Sequence, residues 1–233
     1  MKDLRKQLDS VWRSAARLST VSGGRCIMFI SARPGEGTSS IAASFALMAA
    51  KKSERAAWLI DLDLRKNAAF NAFRDGFVRD AGQPGRAYDA SLRTEPIYSV
   101  SPAGQKRGGT GGAPRLLGVH EIAETRLLVT RFRNEMLEDG QRVRLRTQPD
   151  WWKAVRKSAD WVVVDAPSLS DSPAGLAMAG QMDGVYIVIE ADSTGADDVA
   201  GLRAEIEAHG GRVAGAVLNR IGSDARFADR LAG

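Results

Sequence analysis

The segment from residue 25 to residue 67 carries a strand, a glycine-rich loop, a helix and a second strand, and few folds accommodate that order. Residues 25–32 (RCIMFISA) form a nearly continuous apolar run, typical of a parallel strand that is buried on both faces. Residues 40–52 (SIAASFALMAAKK) are rich in small side chains and predict a helix that packs closely on a sheet. Residues 56–67 (AAWLIDLDLRKN) predict a second buried strand that ends in carboxylates. Together they form the βαβ unit of a parallel sheet.

The same alternation returns after residue 149. The predicted elements are a helix at 150–159, a strand at 160–167, a helix at 172–182, a strand at 183–191, a helix at 195–211 and a strand at 212–221. We therefore predict a single doubly wound α/β domain over residues 22–233, with a mostly parallel sheet, helices on both faces and a P-loop NTPase-like layout. Residues 1–21 precede it as an amphipathic helix, because six apolar residues share one helical face: Leu4, Leu8, Val11, Trp12, Ala15 and Leu18.

The middle of the chain gives weaker signals. Residues 101–118 are rich in Gly, Pro and basic residues, and we expect a flexible loop there. Residues 126–146 contain six arginines, and the alternation in residues 142–148 (RVRLRTQ) predicts a strand with an arginine-lined face. That face is either a solvated edge, which discourages sheet-to-sheet aggregation, or a docking surface.

Composition excludes several classes of protein. No apolar run approaches the roughly 18 residues of a membrane helix, and the N-terminus lacks the apolar core of a signal peptide. The single cysteine, Cys26, cannot form an intramolecular disulfide and is expected in the core, which suits a reducing cytoplasm. The net charge of +5 permits acidic lipid, nucleic acid or an acidic protein as partner without requiring any of them.

The loop after the first strand, SARPGEGTSS (residues 31–40), resembles a phosphate-binding loop. The P-loop pattern is Gly or Ala, four residues, Gly, Lys, then Ser or Thr. Ala32, Gly37 and Ser39 fit this frame, but Thr38 occupies the lysine position. We expect the following residues to contact a bound phosphate group: Arg33, Pro34, Gly35, Glu36, Gly37, Thr38, Ser39 and Ser40.

Carboxylates follow two other predicted strands. Asp61 and Asp63 end the second strand, and Asp165 ends the apolar run VVV, as in a Walker B element. Ligands of such sheets bind beyond the carboxyl ends of the strands, so we predict that Ser39, Asp61 and Asp165 hold Mg²⁺ if nucleotide binds. Asp61, Asp63 and Asp165 would then be the catalytic candidates. Each aspartate taken alone is equally compatible with a turn or a helix cap.

These segments resemble the bacterial tyrosine kinases that accompany capsule and exopolysaccharide export. SARPGEGTSSIAASFALMAA is similar to their Walker A segment, commonly Pro-Gly-Glu-Gly-Lys-Ser, and WLIDLDLRKN to their Asp-x-Asp-x-Arg motif. DWVVVDAPSLSDSPAG resembles their Walker B segment. The closing strand GGRVAGAVLNR implies that Asn219 lies near the adenine, with Arg220 beside it. The resemblance covers residues 22–75 and 150–222, and the wider group of MinD- and ParA-like proteins often sandwiches nucleotide between two subunits.

The departures from that family matter as much as the matches. Thr38 cannot replace the charge of the P-loop lysine, and the C-terminal tyrosine cluster that these kinases phosphorylate is missing. The resemblance therefore implies a degenerate member without autokinase activity, for which ATP or ADP with Mg²⁺ is a weak cofactor. Its expected role is to regulate or scaffold polysaccharide export from the cytoplasm. It would dock on a membrane polysaccharide copolymerase and so sit at the inner membrane through that partner.

Two alternatives remain open. The first is a weak Mg²⁺-dependent ATPase that forms a homodimer, in which Arg33 reaches the partner's phosphates in place of the lysine. A solvent-exposed loop arginine is the favoured interpretation of Arg33 itself. The second is a ParA-like protein associated with DNA. The Pro-Gly-Glu-Gly loop and the Asp-x-Asp-x-Arg motif favour the polysaccharide branch, so nucleic acid is not the expected partner.

Overall fold

The structure is a computed structural model that describes residues 1–20, 23–102 and 115–220. Its helices are α1 (Asp9–Ala16), α2 (Thr38–Lys52), α3 (Ala68–Arg74), α4 (Pro149–Ser158), α5 (Ala174–Ala179) and α6 (Ala196–Ala208). Its strands are β1 (Arg25–Ser31), β2 (Ala57–Asp61), β3 (Pro84–Asp89), β4 (Tyr98–Ser101), β5 (Leu117–Ile122), β6 (Leu127–Phe132), β7 (Arg142–Leu145), β8 (Trp161–Asp165), β9 (Gly184–Glu190) and β10 (Val213–Asn219). Short 3₁₀ turns occur at Arg5–Gln7 and Asn134–Met136.

Eight of the strands form one sheet in the order β10-β9-β1-β8-β2-β6-β5-β3. The pairs from β10 to β6 are parallel, and β5 and β3 extend the sheet in antiparallel fashion. The chain leaves β1 toward β2 on one side, whereas β9 pairs with β1 on the other. The carboxyl end of β1 therefore lies where the winding direction changes, which is where ligands bind in sheets of this kind. The predicted doubly wound α/β fold is confirmed.

Helices cover both faces of the sheet. Apolar side chains of α1, α2 and α3 pack on one face, and those of α4, α5 and α6 pack on the other. Trp151 and Trp152 of α4 are fully buried, as expected for residues that pack a helix against the sheet. Cys26 is fully buried in β1, and this burial raises the pKa of its thiol to about 12, so the thiolate is not populated at neutral pH.

The N-terminal segment is less helical than predicted. A 3₁₀ turn and the eight-residue α1 replace the single helix expected over residues 1–21, and the backbone N–H groups of Lys2 and Leu4 bond to serines of α2. The predicted apolar face is nevertheless correct, since all its members except the partly exposed Trp12 are buried. The segment thus shares the core of the α/β domain. Val21 and Ser22 lie outside the described residues.

The middle of the chain contains more strands than expected. The predicted flexible loop over residues 101–118 falls mostly on residues 103–114, which lie outside the described residues. At its ends the prediction is wrong, because Ser101 closes β4 and residues 117–118 open β5. The arginine-bearing strand is confirmed as β7, which pairs with β4 in a separate two-stranded sheet. Among the described residues, no helix is long and apolar enough to cross a membrane.

Candidate functional site

The loop between β1 and α2 has the backbone shape of an anion cradle. Gly35 and Gly37 have φ angles of 91° and 95°, in the left-handed region that glycine adopts at low cost. A Cβ atom at Gly37 would clash with Nδ2 of Asn219, so any other residue there would have to displace that amide. Residues Thr38, Ser39 and Ser40 open α2, and the first N–H groups of a helix have no partner within the helix. Those donors and the helix dipole favour a bound phosphate.

A buried glutamate fixes this loop to the neighbouring elements. The side chain of Glu36 is almost fully buried and accepts hydrogen bonds from the backbone N–H of Arg33 (3.3 Å) and from the hydroxyl of Thr194. The amide of Asn219 donates to the carbonyl oxygen of Glu36 at 2.8 Å. The loop is therefore held from the β9–α6 connection and from the end of β10. The sequence placed Asn219 beside the site but gave no signal for Thr194.

The two arginines predicted to bind nucleotide are both engaged within the chain. Arg33 is exposed, and its guanidinium lies 2.8 Å from the carboxylate of Asp198 in the first turn of α6. Arg220, directly after β10, pairs with Glu190 at 2.5 Å. Pro34 and Gly35 are exposed at the tip of the loop. Neither arginine thus points a free guanidinium into the loop in this structure.

Thr38 leaves an unsatisfied hydroxyl where the P-loop lysine is expected. The residue is buried, and its Oγ1 has no hydrogen-bond partner among the described residues. A buried polar group without a partner costs free energy of roughly 1–3 kcal/mol, so a ligand oxygen that hydrogen-bonds this group would recover part of it. Next to it, Ser40 Oγ accepts a hydrogen bond from the backbone N–H of Lys2 at 3.2 Å.

Two buried carboxylates meet beside the loop. Asp61 and Asp165 occupy partner positions at the ends of the adjacent strands β2 and β8. Burial raises the pKa of Asp61 to about 6. Hydrogen bonds from the backbone N–H groups of Ala69 (3.2 Å) and Asp63 (2.9 Å) oppose this shift, because they stabilise the ionised carboxylate. Burial, followed by the charge of Asp61, also raises the pKa of Asp165 well above its usual range, and the neighbouring Ser39 hydroxyl opposes this shift. In the described part of the chain, Oδ1 of Asp165 has no hydrogen-bond partner.

The predicted site residues therefore separate into two groups. The structure brings the loop, Ser39, Asp61 and Asp165 together at the carboxyl ends of β1, β2 and β8. Asp63 is more exposed and forms an ion pair with Lys66 at 3.1 Å. Asp63 is therefore less suited than the two buried aspartates to hold a metal ion against a phosphate.

The arrangement fits a magnesium nucleotide in all but one respect. Magnesium is usually held by one or two carboxylates together with waters and substrate phosphates, which matches Ser39, Asp61 and Asp165 at the foot of an anion cradle. Within the described ranges, no group of three His, Cys, Asp or Glu side chains could hold a metal alone, so the ion would depend on the phosphates. The missing part is a cation from the loop itself, because Thr38 is neutral.

Comparison with solved structures agrees with the fold. The kinase domain of VpsO superposes with a TM-score of 0.62 at 19% identity, over 94% of this chain and 95% of that one. The kinase domain of the Escherichia coli tyrosine kinase ETK superposes with a TM-score of 0.57 at 15% identity, over 94% of this chain and 76% of that one. The cell division protein MinD of Aquifex aeolicus gives a TM-score of 0.51 at 16% identity, over 90% and 73%.

These neighbours define the class of fold. The chain has the P-loop fold that bacterial tyrosine kinase domains share with MinD-type proteins, as the resemblance in the sequence predicted. No model of a known protein family matches the sequence, and no curated protein matches it. The particular activity must therefore be argued from the site.

Proposed function

We propose that this chain is a degenerate relative of the bacterial tyrosine kinases that binds Mg²⁺–ATP or Mg²⁺–ADP weakly and does not phosphorylate itself. The observation that carries the proposal is Thr38. It places a neutral, buried and unpartnered hydroxyl at the lysine position of a loop whose glycines, serines and neighbouring aspartates are otherwise in place.

The loss of the lysine charge is expected to weaken nucleotide binding less than it slows turnover. A charged hydrogen bond contributes about 1.5–3 kcal/mol, so its loss lowers affinity on the order of ten- to a hundredfold. Loss of one donor to a transition-state charge typically lowers the rate by about 10²–10³-fold. The remaining backbone donors of α2, together with Ser39, Asp61 and Asp165 around Mg²⁺, sustain weak binding. Turnover, which needs the charge in the transition state, falls to background.

The tyrosines also argue against self-phosphorylation. The chain has three, and Tyr98 and Tyr186 are buried, which leaves Tyr88 as the one with an exposed ring. Tyr186 lies in β9, and its hydroxyl donates to Ser14 at 2.9 Å. Tyr88 lies alone on β3, whereas the family that the sequence resembles phosphorylates tyrosines in a cluster.

For the biological role, we propose that the protein regulates or scaffolds the export of an exopolysaccharide or capsule. It would act at the cytoplasmic side of the inner membrane, through a membrane polysaccharide copolymerase. The Pro-Gly-Glu-Gly loop, the Asp-x-Asp-x-Arg motif and the likeness to the VpsO and ETK kinase domains support this branch. Affinity purification of the tagged protein from crosslinked cells should recover an envelope copolymerase. Trp151 and Trp152 are buried, so they do not contact that partner.

Turnover is the direct test of the enzymatic part of the proposal. Purified protein should release phosphate from Mg²⁺–ATP no faster than an Asp165→Ala variant, and mass spectrometry should detect no phosphotyrosine after incubation with ATP. Thr38→Lys should raise phosphate release above that background. Robust phosphotyrosine on the unchanged protein would refute the proposal.

The homodimeric ATPase is the second candidate. It requires Arg33 to leave Asp198 and contact phosphate across a dimer, and the exposure of Arg33 on the loop tip supports that possibility. This candidate predicts nucleotide-dependent dimers in light scattering and loss of turnover in Arg33→Ala. If Arg33→Ala hydrolyses ATP as fast as the unchanged protein does, the homodimeric ATPase is eliminated. Salt-dependent binding to nonspecific duplex DNA would instead favour the ParA-like alternative.

A further inference from the structure

The first residues of the chain run along α2, starting beside the phosphate-binding loop. The backbone N–H of Leu4 donates to Ser44 Oγ at 2.9 Å, and that of Lys2 donates to Ser40 Oγ at 3.2 Å. Residues four apart lie above one another on the same face of a helix. The segment therefore runs parallel to α2 and away from the loop, and Lys2 lies at its loop end.

This segment is anchored to the domain. Leu4 and Leu8 are buried in the core cluster that includes α2. Arg5 bonds to the carboxylates of Asp3 and Asp80, with distances of 2.7 and 2.6 Å. These contacts hold the backbone of Lys2 at one position beside α2, so only its side chain has to be ordered when a ligand binds.

The ammonium group of Lys2 is within reach of the anion cradle. Ser40 is the third residue of α2, and side chains in a helix lean toward its N-terminus, so Ser40 Oγ lies over the first turn. The four-carbon stem of a lysine is long enough to span a helical turn of roughly 5.4 Å. Lys2 is exposed and forms no ion pair with any described residue.

Two other cations considered for the site, Arg33 and Lys66, already have partners. Arg33 pairs with Asp198, and Lys66 pairs with Asp63. The cradle itself shows two signs of a missing ligand, the unpartnered buried oxygens of Thr38 and Asp165. We propose that Lys2 supplies the positive charge that the loop lacks and contacts the phosphates of a nucleoside di- or triphosphate bound at the start of α2. This inference rests on the nucleotide binding proposed above.

The position of Lys2 also predicts which phosphate it contacts. The P-loop backbone holds the α- and β-phosphates, and the usual lysine reaches the β- and γ-phosphates. Lys2 approaches from Ser40 in the first turn, so we expect it to contact the α- and β-phosphates that this backbone holds. It contributes to affinity for ADP and ATP alike and leaves the γ-phosphate without a cation. Binding without turnover is the expected result.

The test compares Lys2→Ala with the matched control Lys6→Ala, which removes an exposed lysine of the same segment that also forms no ion pair among the described residues. Calorimetric titrations with Mg²⁺–ADP and Mg²⁺–ATP should show about tenfold weaker binding of both nucleotides for Lys2→Ala. Lys6→Ala should bind as the unchanged protein does, and Lys2→Arg should retain most of the affinity. Melting temperatures without nucleotide should agree among all four proteins.

The outcomes separate this inference from the proposal on which it rests. If the unchanged protein binds nucleotide and Lys2→Ala binds equally well, the role of Lys2 is refuted while nucleotide binding stands. If Lys6→Ala weakens nucleotide binding as much as Lys2→Ala does, the cause is general surface charge. That result would also refute the role of Lys2. If the unchanged protein binds neither nucleotide, both proposals fail.

Discussion

Asp61 and Asp165 face each other across two adjacent parallel strands, with both carboxylates buried beside the first turn of α2. Burial raises the pKa of both carboxyl groups, and the charge of Asp61 raises that of Asp165 further. Such a pair destabilises the protein at neutral pH unless a cation neutralises it. Perturbed carboxylates of this kind are typical of functional sites, which fits the Mg²⁺ and phosphate binding that we propose.

The first prediction concerns the pH dependence of nucleotide binding. Magnesium binds ionised carboxylates, and the pKa of Asp61 is raised to about 6. Affinity for Mg²⁺–ADP should therefore increase as pH rises from about 5.5 to about 7.5. Calorimetric titrations across this range test it, with EDTA in place of Mg²⁺ as the control. A flat profile would show that the two carboxylates do not take part.

The second prediction is that Asp165→Asn stabilises the protein at high pH. The raised pKa means that the folded state holds a proton that the unfolded state releases, so the stability contributed by this group is lost as pH rises above the ordinary value of 3.8. The amide carries no charge and avoids that loss. At pH 8 the melting temperature of the variant should exceed that of the unchanged protein, by about 2–4 °C for each kcal/mol gained in the free energy of unfolding.

The same comparison near pH 4 provides the control for Asp165→Asn. Both proteins are then uncharged at this position, and their melting temperatures should converge. A variant that melts lower than the unchanged protein at pH 8 would contradict the assigned direction of the pKa shift.

The third prediction concerns a buried aspartate with the opposite environment. Asp183 accepts hydrogen bonds from Arg156 at 2.6 Å and from the backbone N–H of Cys26 at 2.7 Å, and both side chains of the ion pair are buried. Asp183→Asn should destabilise by about 3–5 kcal/mol, because it leaves an uncompensated buried guanidinium. Urea denaturation at pH 7 measures this loss. A loss below about 1 kcal/mol would contradict it.

The fourth prediction separates the two glycines of the loop. Gly35→Ala adds a Cβ with no atom within 4 Å and costs only the left-handed backbone, about 1–2 kcal/mol. Gly37→Ala adds the same cost and a clash with Asn219, so it should destabilise more and displace the amide that bonds to Glu36. The melting temperature of Gly37→Ala should be lower than that of Gly35→Ala. When each variant is combined with Asn219→Ala, the difference between their melting temperatures should become smaller. Equal melting temperatures for the two glycine variants would contradict the contact.

Local patterns made much of the fold predictable. The buried strands β1, β2, β8 and β9 are apolar runs, and the glycine loop and the aspartates that follow them are visible in the sequence. β3 and β5 were missed, because PGRAYD and LGVHEI are short edge-side strands whose pairing comes from tertiary contacts. The resemblance likewise placed Asn219 near the nucleotide site.

Other parts of the site depend on contacts that no local pattern encodes. Thr194 reaches Glu36, and Asp198 reaches Arg33, from more than 150 positions further along the chain. Lys2 is brought to Ser40 by the course of the first residues along α2, where the sequence suggested one continuous helix. Such pairings follow from the packing of α1, α2 and α6 around the sheet.

The central claim is that the cradle is intact and lacks only its loop cation. Calorimetric titration of the unchanged protein and of Thr38→Lys with Mg²⁺–ATP and Mg²⁺–ADP tests it most directly. We predict weak binding of both nucleotides by the unchanged protein and an increase for Thr38→Lys of about ten- to a hundredfold, larger for ATP than for ADP. Binding that is no tighter in a folded Thr38→Lys protein would show that the cradle no longer accepts phosphate, and would contradict the account.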